Sequence, residues 1–148
     1  MPSNFKYKSG LGSVGAYQMS GVPFVKQVTS IAGTNGAATE VGFPGITKYV
    51  IVENLSTAQS LRVGFHAVGI EGAGANAFYW TLPPVGTDAA GEDYRSRIRM
   101  DVRVSSIFLI SAHETATVDA QVHAGCTTIP TGTLPDNWNG VEGVGTTP

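Results

Sequence analysis

Between Val22 and Ala124 the chain consists of short stretches of strand-forming residues separated by glycine and proline, and no stretch has helical periodicity. Glycine and proline weaken helices and central strands but suit turns, so this spacing limits the strands to about ten residues or fewer. Short strands separated by turn residues are typical of an all-β sandwich or barrel. We predict eight strands, over residues 22–30, 39–43, 46–53, 61–67, 76–82, 94–104, 106–111 and 115–124.

The connections between these strands favour a jelly roll. Those after Val68 and Leu82 are longer than a hairpin needs, as expected where the chain crosses from one sheet to another. No repeat of fixed period is visible, which argues against a propeller or a β-helix. The 148 residues suffice for one domain with a hydrophobic core but not for two ordinary domains. We therefore predict an all-β fold, a single eight-stranded antiparallel jelly-roll sandwich, over residues 22–125.

The alternation of apolar and polar residues predicts which side chains face the core. Leu61, Val63 and Phe65 alternate with polar or small residues, as in a strand with one buried face. Residues 46–53 are apolar on both parities, which is typical of a central strand covered on both faces. The side chains that we expect to be buried include Ile51, Phe65, Val102 and Phe108.

Residues 1–21 and 126–148 flank this domain as two irregular arms that cannot form a core of their own. Glycine interrupts every possible strand in the first arm, and the second carries only Asp136 and Glu142 as charged residues. One interpretation is a pair of disordered tails. Spaced apolar residues favour another, in which the arms become ordered on contact with a partner. These residues are Leu11, Val14, Tyr17 and Met19 in the first arm and Leu134, Trp138, Val141 and Val144 in the second.

Residues 95–103 carry the sharpest local pattern, an arginine ladder in which charged and apolar residues alternate. One interpretation is a solvated strand face whose arginines meet neighbouring carboxylates and discourage edge-to-edge aggregation. Another is a subunit interface or a surface for an acidic partner, because guanidinium groups pair with carboxylates at two points. Nucleic-acid or glycan binding is a third. The predicted interface comprises Arg95, Arg97, Arg99 and Arg103 of this ladder with Leu11, Val14, Tyr17 and Trp138 of the arms.

The sequence carries no pattern typical of a catalytic or metal site, so we predict neither an enzyme nor a cofactor. The three histidines lack metal-ligand spacing. Cys126 follows the last predicted strand without a catalytic signature. The loop with Asp88, Glu92 and Asp93 supplies oxygen ligands suited to calcium, but its spacing is not that of an EF-hand, so a solvated acidic loop is the simpler interpretation.

Charge and hydropathy limit the classes of partner that we expect for this chain. The net charge of −2 argues against nucleic-acid binding, which needs a basic excess to neutralise phosphates. Charged residues make up only 14% of the chain, which is sparse for a freely soluble monomer and suggests that other subunits cover part of the surface. No apolar stretch approaches the roughly 20 residues of a membrane span, and no hydrophobic segment follows the N-terminal lysines, so we expect neither a transmembrane segment nor a signal peptide.

Three segments carry a resemblance to a known family. Residues 9–24 (SGLGSVGAYQMSGVPF), 46–54 (ITKYVIVEN) and 61–65 (LRVGF) resemble the small single jelly-roll capsid proteins of large algal double-stranded DNA viruses, especially the penton. The resemblance implies a homopentamer at each fivefold vertex of an icosahedral shell. Its further partners would be a larger major capsid protein and minor capsid proteins. It also implies a place in the virion, after synthesis and assembly in the host cell cytoplasm.

Two other classes stay open on the sequence. A viral spike, fibre or decoration protein would share the fold and would be expected to form trimers. A carbohydrate-binding β-sandwich module would be monomeric and could stack a sugar ring on Trp80 or Trp138.

Overall fold

The computed structural model describes residues 10–72, 77–87, 91, 93–134, 137–138 and 144. Within these residues, eight strands form two four-stranded antiparallel sheets, and a separate ribbon joins two further short strands. The sandwich strands are β1 (Val22–Ile31), β2 (Thr39–Gly42), β3 (Thr47–Asn54), β4 (Leu61–Gly64), β5 (Tyr79–Leu82), β8 (Ser96–Met100), β9 (Ser106–Ser111) and β10 (Val118–Cys126). The ribbon strands are β6 (Gly86–Thr87) and β7 (Asp93–Tyr94).

The sandwich strands pair like one long hairpin that has been rolled up. β4 pairs with β5, β3 with β8, β2 with β9 and β1 with β10. Rolling adds the pairs β3–β10 and β4–β9. The first sheet therefore has the order β1-β10-β3-β8 and the second has β2-β9-β4-β5. This is the double-sheet arrangement of a jelly roll, and the predicted all-β fold is confirmed.

The core lies between the two sheets and consists mainly of β-branched and leucine side chains. Val52 and Val122 from the first sheet and Val63 and Leu109 from the second are fully buried. Each such side chain contributes about 1.5–3 kcal/mol relative to full exposure. The alternation predicted for Leu61, Val63 and Phe65 is confirmed, since all three are buried.

Three of the four predicted core residues need correction; only Phe65 is buried. Ile51 lies between Val50 and Val52, which point into the core, so its side chain faces outward and is half-buried. Phe108 likewise lies between Ile107 and Leu109 and packs outside the second sheet, against His66. Val102 packs on the edge of the core and is half-buried.

Two five-residue helices replace structure that we expected to be strand or irregular. α1 (Val14–Gln18) lies in the first arm, and α2 (Ala67–Glu71) follows β4. The predicted strand 61–67 ends early because His66 begins a turn, and its Nδ1 accepts a hydrogen bond from the backbone of Val68 at 3.3 Å.

Several predicted strand boundaries also differ from the structure. β5 begins at Tyr79 and β10 at Val118, later than the predicted starts at residues 76 and 115. The predicted strand 94–104 is regular only from Ser96 to Met100, because the Thr47 hydroxyl bonds the backbone at Val102 and Val104 and directs the chain towards β9. The last strand runs through Cys126, so this buried residue belongs to β10 and the second arm begins after it.

Candidate subunit interface

Three arginines of the predicted interface lie on the outer side of the first sheet, along its edge strand β8. Arg95, Arg97 and Arg99 are exposed, whereas Ser96 and Met100 between and beyond them are buried. This is the alternation that the sequence predicts. We call Arg95, Arg97 and Arg99 the arginine face.

Neighbouring residues position two members of the arginine face. Arg95 lies 3.6 Å from the carboxylate of Glu53, whose side chain is only 10% exposed. The guanidinium of Arg99 lies 3.3 Å from Asp101 and stacks over the ring of Tyr49, 4.5 Å from its centroid. Stacking and ion pairing at exposed positions contribute little to folding, so this geometry mainly orients the guanidinium groups.

The ring of Tyr49 packs directly against a glycine. Gly125 is paired with Tyr49 across β10 and β3, and a Cβ at that position would lie 2.5 Å from the tyrosine ring. A side chain at residue 125 would therefore displace Tyr49 from beneath Arg99. The outer face of the first sheet thus combines guanidinium groups with an aromatic ring and the half-buried Ile51, which is the residue mixture of protein interfaces.

The fourth arginine, Arg103, lies apart from the arginine face, in the irregular segment after β8. It donates a hydrogen bond to the carbonyl oxygen of Leu11 at 3.1 Å, and its guanidinium lies within 6 Å of the rings of Tyr17 and Trp138. The indole of Trp138 donates to the carbonyl of Arg103. Arg103 therefore joins the two arms within one chain.

The described parts of the arms pack on the body of the same chain. Leu11, Tyr17 and Trp138 surround a small apolar cluster that is separate from the main core. Its buried members are Ile46, Ile129 and Leu134. The hydroxyl of Tyr17 donates to the carbonyl of Leu11 at 2.8 Å.

Val14, predicted with these residues, does not join the cluster and is 65% exposed on α1. The structure thus unites Leu11, Tyr17, Trp138 and Arg103, and leaves Val14 and the arginine face open to a partner.

Asn137 anchors the second arm, and no pattern in the sequence predicts this role. Its buried amide donates to the carbonyls of Phe65 at 2.6 Å and Ser106 at 2.7 Å. Its oxygen accepts from the backbone N–H of Ser105 at 2.9 Å. The residue has φ +46°, a left-handed conformation that asparagine tolerates better than most residues.

The residues suited to sugar stacking or metal binding lie apart from the arginine face. Trp80 is 46% exposed and packs edge-on against Phe65, whereas Tyr79 lies under the guanidinium of Arg62. His113 accepts two backbone hydrogen bonds in its own loop. Among the residues that the structure describes, no three His, Cys, Asp or Glu side chains form a group suited to a metal ion. The acidic loop lies outside the described residues at Asp88, Glu92 and the side chain of Asp93.

An open cleft of about 410 Å³ lies on the outer face of the second sheet. Its floor includes Phe108, and Glu40 and His66 are its titratable lining residues. No residue of the predicted interface lines it.

No protein-family model, curated protein or solved structure gives a significant match to the chain. None of the helices among the described residues is long and apolar enough to cross a membrane.

Proposed function

We propose that this chain is a viral structural protein, a capsid penton whose homopentamers occupy the fivefold vertices of an icosahedral shell. The observation that carries the proposal is the strand order of the two sheets, β1-β10-β3-β8 and β2-β9-β4-β5. Jelly rolls of this kind build viral capsids, although lectins and cupins also use them. The resemblance of residues 9–24, 46–54 and 61–65 to algal-virus pentons favours the capsid among these classes.

The surface supports a structural role because its distinctive features suit protein contacts. The arginine face offers exposed guanidinium groups beside an aromatic ring, and Arg is enriched at interfaces. Large apolar side chains are also exposed on the first arm and on β1, at the opposite edge of the first sheet, including Met19, Val22 and Val25. In the proposed function these surfaces contact other copies of the chain, a larger major capsid protein and minor capsid proteins of the virion.

The oligomeric state of the purified full-length chain tests this function. Native mass spectrometry and negative-stain electron microscopy over a series of protein concentrations should give a pentamer with a fivefold projection. A trimer would favour a spike, fibre or decoration protein. A monomer that binds glycans on an array would favour the carbohydrate-binding module and contradict the penton.

A further inference from the structure

The jelly roll has two lateral sides, and each side carries an edge strand of both sheets. β1 and β2 are the edges on one side, where Phe24 of β1 packs against Phe43 just after β2, with ring centroids 5.1 Å apart. β8 and β5 are the edges on the other side and contact each other. A surface on the β5–β8 side therefore faces away from a surface on the β1–β2 side.

The β5–β8 side carries the arginine face, and the side chains of Arg95 and Arg99 are 75% and 58% exposed. It also carries Trp80, a large and half-exposed ring on the edge strand β5. Arginine and tryptophan are both enriched at the energetic centres of protein interfaces.

The opposite side carries a set of exposed carboxylates around the connection from β1 to β2, which we call the acidic corner. Glu71 accepts a hydrogen bond from the backbone of Ala38, just before β2, at 3.3 Å. The backbone of Asn35 donates to the carbonyl of Glu114 at 3.0 Å, which places Glu114 beside the same connection. The members of the acidic corner are Glu40, Glu71 and Glu114.

Exposed apolar residues also lie on the β1–β2 side. Met19, Val22 and Val25 adjoin or lie on the edge strand β1 and are 71%, 51% and 62% exposed. β1 carries one basic residue, Lys26, and β2 carries none. These apolar residues lie near the start of β1, where Lys48 donates to the carbonyl of Met19, whereas the acidic corner lies at the other end of β1. The carboxylates of the acidic corner are therefore the part of the β1–β2 side that complements the arginine face.

We propose that the arginine face of one copy docks against the acidic corner of the next copy, so that copies of this chain associate head to tail. The partner is a second copy because both halves of the complementary contact are present, on opposite sides of one chain. A contact between different surfaces repeats from copy to copy and closes into a ring when its rotation permits. This inference rests on the proposed function, since it assigns the contact that would close the pentamer.

Charge reversal tests the contact directly. The variant Arg97→Glu with Arg99→Glu and the variant Glu40→Lys with Glu114→Lys should each raise the dissociation constant of the oligomer at least about tenfold. Higher salt should weaken the wild-type oligomer for the same reason. Combining all four substitutions in one chain restores opposite charges at every contact and should restore the pentamer.

The head-to-tail arrangement has a second signature. An equal mixture of the two reversed variants can associate only in alternation, and five alternating copies cannot close. The mixture should therefore form even-numbered or open oligomers, detected by native mass spectrometry.

Two control variants accompany these measurements. Gln18→Glu with Thr128→Glu adds acidic charge at exposed positions outside both surfaces and should leave the pentamer intact. Arg97→Gln with Arg99→Gln removes the charge without reversing it and should weaken association less.

The outcomes separate this inference from the proposed function. A wild-type pentamer that the reversals leave unchanged, or that the combined variant fails to recover, overturns the head-to-tail contact and leaves the penton in place. A wild-type chain that stays monomeric over the whole concentration series overturns both. Circular dichroism of each variant establishes that the fold is retained, and a variant that unfolds is replaced by its glutamine counterpart.

Discussion

Removing the side chain of Asn137 should destabilise the protein although this residue lies outside both sheets. Its amide is the donor to two carbonyls, those of Phe65 and Ser106, and its oxygen is an acceptor for Ser105. Asn137→Ala leaves these three backbone groups without their partner. It also places alanine at φ +46°, a conformation that disfavours a side chain with a Cβ.

The expected loss follows from these contacts. A buried polar group that loses its partner costs about 1–3 kcal/mol, and the left-handed backbone adds about 1 kcal/mol for alanine. Detachment of the arm would let water reach the carbonyls and limits the total, so we expect a loss of roughly 3–5 kcal/mol. Asn137→Asp keeps the acceptor and the backbone preference but sets a carboxylate against two carbonyl oxygens. It should be at least as destabilising.

Urea unfolding at one fixed protein concentration measures this loss, with circular dichroism reporting on the sheets. In a Trp80→Phe background, Trp138 is the sole tryptophan and its fluorescence reports on the arm. Thr128→Ala, an exposed change in the same arm, should stay within about 0.5 kcal/mol of wild type. If Asn137→Ala also stayed within about 1 kcal/mol, the arm would not be anchored by this amide and the reasoning would be refuted.

Two further measurements test the core and the cysteine. Phe65→Ala should cost about 3–5 kcal/mol in denaturant unfolding, whereas Phe108→Ala should cost clearly less because its ring lies outside the sheet; equal losses would contradict the assigned strand faces. Burial raises the pKa of the Cys126 thiol, and a backbone hydrogen bond with Gly45 only partly opposes this. The neutral thiol is thus favoured in the folded chain, and its contribution to stability is lost as the pH rises through this raised pKa. Cys126 should react slowly with a disulfide reagent until denaturant is added, and rapid labelling of the native protein would contradict its burial.

The sequence alone was sufficient for the fold class and for most strand faces. Glycine and proline between short apolar stretches limited the chain to strands, and the period-2 alternation assigned Leu61, Val63 and Phe65 to the core. The same alternation assigned the arginine face to the solvent side of β8. These are local properties, since a strand places successive side chains on opposite faces whatever its neighbours are.

Only the tertiary structure decided what depends on distant parts of the chain. Ile51 and Phe108 were assigned to the core from apolarity, yet the outer faces of their strands are only partly covered, which no local pattern specifies. Asn137 bonds to Phe65 and Ser106, which lie 72 and 31 residues away along the chain. Arg103 does not lie on the arginine face because β8 ends at Met100. Beyond Met100 the backbone bonds to the side chain of Thr47 and no longer follows the strand. The acidic corner gathers carboxylates from three separate segments, since rolling the hairpin is what brings those segments together.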